Sequence, residues 1–181
     1  MIERYAPEFS FPAYAFVPRR QPHPTSDLMG HSFGRPHAIC PRVDPHDPRS
    51  SQEFCFAVDL FNAGYYWEAH EAWEELWIAA GRSGVLADFL KGLIKLAAAG
   101  VKAREGQTNG VKRHALRAAE LFRTVQTTMA ESQPRYCGLL IDNLICAAEG
   151  LGVHPLIDET FSTDGRPVIS IRLMLEKLDP Q

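Results

Sequence analysis

The chain has 181 residues, 45% of them hydrophobic and 23% charged, so there is room for one domain with a real core plus flanking arms. Its net charge of -3 gives no electrostatic case for a nucleic-acid partner or for an anionic membrane surface. The most apolar segment, Val85 to Val101, is interrupted by Asp88, Lys91 and Lys95, which makes it a core helix and not a membrane span.

Residues 1–49 hold nine of the 13 prolines and four of the seven histidines. The first residues, Met1 to Pro7, contain no apolar run of the kind a signal peptide needs. Phe9, Phe11, Tyr14 and Phe16 recur every two or three residues, punctuated by Pro12 and Pro18, a pattern for extended chain laying rings on a surface. Disordered tails are poor in aromatics, so residues 5–18 are expected to be an ordered arm packed on the domain. The Pro/Gly-rich stretch that carries His23 and His31 continues as irregular loop.

Ser50 and Glu53 have capping-box spacing, and a first helix is expected from there to Asn62, stopped by Gly64. A second helix covers about residues 65–80 and ends at Gly81. A third runs over about 84–104, with Leu86, Phe89, Leu90, Leu93, Leu96, Ala97 and Val101 on its apolar face. After a turn at 106–110, a fourth helix repeats apolar residues at Val111, Ala115, Ala118, Phe122, Val125 and Met129. Pro134 suits the first turn of a fifth helix that would end at Gly150 or Gly152. From Val168 the pattern alternates, which predicts a short strand or extended tail, with Leu173 to Leu178 able to turn helical instead. The expected architecture is all-α: an N-terminal arm at 1–49, a compact bundle of about five helices at 50–152 and a C-terminal tail at 153–181. Cys40, Cys55, Cys137 and Cys146 lack C-x-x-C spacing, and free thiols in the cytoplasm are the expectation.

The second helix is the densest part of the chain. Residues 65–77 contain three tryptophans, two tyrosines, four glutamates and a histidine. At about 100° per residue, Tyr66, Ala69, Trp73, Leu76, Trp77 and Ala80 gather as a core stripe. His70 and Glu74 fall on one shoulder, while Glu68, Glu71 and Glu75 fall near the opposite face, where Lys91, Lys95 and Lys102 of the third helix would reach them as surface ion pairs.

A histidine and a carboxylate four residues apart can converge on one divalent ion, with Glu71 orienting it or acting as a base. The run His70-Glu71-x-x-Glu74 differs from the zinc-peptidase H-E-x-x-H in lacking the second histidine, and the chain has no paired Glu-x-x-His for a di-iron bundle. If the arm crosses this helix, His23 or His31 would join His70 and Glu74 in a mixed cluster suited to zinc, manganese or iron. The competing reading is structural: a shoulder histidine hydrogen-bonded to a carboxylate, and His23, His31, His37 and His46 scattered in loops. Trp67, Trp77 and Lys95 would line a pocket beside the cluster.

Gly64-Tyr65-Tyr66-Trp67-Glu68-Ala69-His70-Glu71-Ala72-Trp73-Glu74 resembles the signature helix of the uncharacterised prokaryotic domain-of-unknown-function family 309. Phe89-Leu90-Lys91-Gly92-Leu93-Ile94-Lys95-Leu96-Ala97-Ala98-Ala99 and Gly110 are similar to its second motif, so that the likeness covers about residues 52–125. The resemblance implies a compact helical domain of a cytosolic bacterial or archaeal protein. It implies no activity. Glu68, His70 and Glu71 are the polar positions it shares, and Lys95 stands where the resemblance leads one to expect glutamine. Two functions compete: a metal or small-ligand site on this helix, and a non-catalytic interaction or scaffold module, associating with a second copy through Trp67 or Trp77.

Overall fold

The computed structural model describes residues 4–34, 40–130, 133–158, 160 and 164–176. It is an all-α bundle of five helices: α1 Gln52–Asn62, α2 Tyr66–Ala79, α3 Val85–Arg104, α4 Thr108–Thr128 and α5 Ile141–Val153. Each helix packs on its sequence neighbours, and α3 lies between α2 and α4. The apolar face predicted for α3 is buried along its whole length, and Trp73 of α2 is fully enclosed.

Helix boundaries follow local chemistry. A one-turn 3-10 helix at Pro48–Ser50 leads into α1, whose cap is Ser51: its hydroxyl accepts from the Phe54 N–H at 3.2 Å. The capping box expected on Ser50 is therefore displaced by one residue, because Ser50 belongs to the 3-10 turn and its own hydroxyl donates to the Asp47 carbonyl. Gly64 stops α1 with φ 84°, and a Cβ there would also lie 2.1 Å from the Arg166 carbonyl oxygen, so two separate constraints demand glycine. The fourth helix starts at Thr108, inside the stretch expected to be a turn.

The fifth helix differs most from expectation. Pro134 does not open it. Arg135–Tyr136 (β1) and Leu139–Leu140 (β2) form an antiparallel hairpin closed by Cys137 and Gly138, both at positive φ (46° and 73°), and the helix begins at Ile141. Neither Gly150 nor Gly152 ends it. Gly152 instead lets α5 approach α4, since a Cβ there would meet Leu116 at 2.6 Å.

The described part of the tail, residues 164–176, is extended and forms neither strand nor helix; Leu178 lies outside the described residues. Ile169, Leu173 and Leu175 point into the core, and side chains of the bundle take the place of a strand ladder. Asn62 brackets Leu173, accepting its N–H and donating to its carbonyl, both at 2.8 Å. The Tyr66 hydroxyl accepts from Val168 and Ile169 N–H groups, and Arg104, almost fully buried, donates to the carbonyls of Asp164 and Arg166.

The arm is held in the same way. Asp59 accepts the N–H groups of Tyr5 and Ala6, each at 2.9 Å, and pairs with Arg4 at 3.3 Å. Phe11 stacks on Tyr65 and Phe16 meets Trp67 edge-on, both at 5.1 Å between ring centres. Ala15, Phe16 and Val17 are buried.

Candidate functional site

Two polar groupings lie on α2, on different sides of its core stripe. On the shoulder, His70, Glu71 and Glu74 each offer one ligand atom, and these atoms all lie within 4.8 Å of one another; all three residues are half-buried. His70 Nδ1 is itself out of contact with solvent and has no hydrogen-bond partner, with Glu71 Oε1 standing 3.5 Å away. The i, i+1, i+4 spacing on one helix brings the three together without help from another segment.

Cations border this shoulder. Lys95 and Lys102 of α3, Arg113 of α4 and His70 all act on His114. Burial first, then this positive field, pushes the His114 imidazole down to about 4, so it sits neutral in the fold at pH 7. Lys95 therefore belongs to the cationic border of the shoulder. Lys102 is taken by Glu105 at 2.5 Å and Lys91 lies over the Trp77 ring, so two of the three lysines expected to reach the glutamates of α2 have other partners.

The opposite face of α2 is covered by the arm. Glu68, expected on a solvated face, has a side chain only 5% exposed. Its Oε1 accepts the Phe16 N–H at 2.9 Å and the His31 Nε2–H at 3.1 Å. His31 Nδ1 lies 2.9 Å from the Ser32 hydroxyl, so the ring bridges Ser32 and Glu68. Glu68 Oε2 is buried and has no hydrogen-bond partner.

The arm thus crosses α2, but it brings His31 to Glu68 and not to His70 or Glu74. His23 is exposed, with its ring edge-on to Trp67 at 5.4 Å and to Phe16 at 5.2 Å. His46 is exposed in a loop where its N–H donates to Asp44, and His37 lies outside the described residues. Trp67 is half-covered by Phe16 and lines the space beneath the arm; Trp77, also half-buried, lies under Arg82 and Lys91 at the other end of the helix. Sequence reasoning missed the burial of Glu68. The aromatic spacing of the arm was the available signal that this face would be covered, but the spacing does not say which face.

Residues 54–114 match the family model of DUF309, a domain of unknown function. The matched segment runs from α1 through α2 and α3 into the first turns of α4, and so includes both polar groupings of α2 while leaving out the arm and the tail. It is shorter at both ends than the likeness read from the motifs. No curated protein matches the chain. Among the described residues, no helix is long and apolar enough to cross a membrane.

Proposed function

We propose that this protein is a cation-binding module whose α2 holds a divalent metal ion through His70, Glu71 and Glu74. The observation that carries this reading is the convergence of one nitrogen and two carboxylate oxygens within 4.8 Å, beside a histidine Nδ1 that makes no hydrogen bond and has Glu71 Oε1 3.5 Å away. Ligand atoms about 2.1 Å from an ion stand at most about 4.2 Å apart, so a small side-chain rotation closes the set. A mixed imidazole and carboxylate set suits zinc, manganese or iron. Three protein ligands leave coordination positions for water or substrate, which is the arrangement that lets a metal act as a Lewis acid. The positive charges of Lys95, Lys102 and Arg113 nearby would limit the affinity, and a labile ion is the expectation. The reading places the protein in a prokaryotic cytoplasm, in keeping with its four free cysteines.

A second reading, a self-associating helical module, draws on the last turn of α2, where half-buried Trp77 adjoins Ile78, which is 48% exposed. One set of measurements separates the two. Zinc or manganese added to metal-free protein should raise the melting temperature, by an amount corresponding to about 2.7 kcal/mol at a hundredfold excess over Kd. His70→Ala should abolish that rise while its metal-free melting temperature stays near wild type. No rise with any divalent ion, or a rise that survives in His70→Ala, sinks the metal reading; a concentration-dependent dimer by light scattering would then favour self-association.

A further inference from the structure

Beneath the arm lies a cleft of about 1270 Å³, walled by the arm, the loop carrying His31, α1 and α2. It is separate from the metal shoulder, although Glu71 borders both. A cavity of this volume exceeds the roughly 300–1,000 Å³ usual for small-molecule sites, so it has room for an organic ligand together with water.

Among the described residues, the carboxylates dominate its lining. The described residues around it include five glutamates, a single histidine and no lysine or arginine. Glu68, Glu71 and Glu75 come from one stripe of α2, and Glu53 faces them from α1. The Cys40 thiol nearby reports this field: burial, with Glu53 and Glu75 adding to it, pushes it up to about 11. The apolar part of the wall is aromatic, with Phe9 and Phe11 of the arm, Phe56 of α1 and Trp67 of α2.

One atom in this lining asks for a donor. Glu68 is buried, its Oε1 is saturated by Phe16 and His31, and its Oε2 has no partner. A buried carboxylate oxygen left without a donor is costly. A hydrated metal ion would gain nothing from four aromatic rings, whereas an organic ammonium gains from carboxylates and ring faces together.

We propose that this cleft binds an organic cation, a protonated amine on an apolar body, with the ammonium donating to Glu68 Oε2 and the body against Phe9, Phe11, Phe56 and Trp67. The site stands independently of the metal shoulder.

Isothermal titration of the full chain with 4-phenylbutylamine tests the proposal, with 4-phenylbutanol and 4-phenylbutyrate as neutral and anionic probes of the same body. The amine should bind at least tenfold more tightly than either. Glu68→Gln should weaken the amine at least tenfold and bring it level with the alcohol. Because Glu68 also holds the arm, a second variant, Ala72→Phe, fills the cleft without removing a hydrogen bond and should abolish amine binding. His70→Ala should leave it unchanged, which keeps this result apart from the metal experiment. Absence of amine binding at millimolar concentration, equal affinity for amine and alcohol, or unaltered binding in Ala72→Phe would each overturn it.

Discussion

His114 shows how one residue registers the helices around it. It lies on α4, where Lys95 and Lys102 come from α3, His70 from α2, and Arg113 from its own helix. Burial and these charges lower its pKa from 6.5 to about 4. The folded state then binds fewer protons than the unfolded chain between those values. This group adds no pH dependence above about 6.5, and stability declines as pH falls from there toward 4. Urea unfolding at pH 7.5 and pH 5 should show a loss for wild type that His114→Gln reduces. An equal loss in the variant would move the cause to other groups. The same neighbourhood shows what a sequence reveals about single residues. His70 and Glu74 share a shoulder because helix geometry alone puts them there, whereas Glu71, expected near the opposite face, reaches the same shoulder. Glu68 was misplaced on a solvated face because its burial depends on Phe16 and His31, which lie 52 and 37 residues away.

At the scale of elements, the helices were legible wherever apolar residues recur every three or four positions. The rows on α3 and α4 land in the core as the periodicity requires, Met129 at the end of α4 being only partly buried. The hairpin at 135–140 was not legible. Its two strands are two residues each, too short to alternate, and its turn begins with a buried cysteine at positive φ where asparagine or glycine would be the usual signal. Glycines inside helices carry a different message. Gly92 of α3 faces Phe122 of α4, and a Cβ at this position would stand 2.5 Å from the ring. Gly100 likewise faces the Tyr66 ring at 2.4 Å, so α3 is kept slim on both sides. Gly92→Ala gains helix propensity of about 1 kcal/mol but overpacks this contact at about 1–3 kcal/mol. The variant should therefore unfold at lower denaturant than wild type, with Phe122→Leu restoring part of the loss. A stabilised Gly92→Ala would show that the two helices can separate without cost.

The whole molecule is closed by its ends. The described residues of arm and tail contribute no α-helix, yet both complete the core, and both are fastened by side chains that accept or donate to extended backbone. Asp59 holds Tyr5 and Ala6, Glu68 holds Phe16, Asn62 holds Leu173, and Arg104 holds Asp164 and Arg166. Such clips join positions 50 or more residues apart, and no local pattern announces them; hence the tail's alternation was legible but its attachment was not. Tyr66 tests the arrangement most directly, because its ring and its hydroxyl do separable jobs. The ring packs edge-on against Phe61 at 5.4 Å, and the hydroxyl accepts from Val168 at 2.9 Å and Ile169 at 3.2 Å. Tyr66→Phe keeps the ring and leaves those two amides without an acceptor, one of them fully buried. An unsatisfied buried donor costs about 1–3 kcal/mol, so a loss of about 2 kcal/mol is expected. The loss should be local as well as global. Hydrogen exchange at Val168, Ile169 and Leu173 should accelerate more than at amides in the middle of α3 and α4. If exchange rises uniformly, the tail unfolds only with the bundle and is an integral part of it; if it rises only from Val168 onward, the tail is a separate closing strap that Tyr66 and Asn62 hold shut.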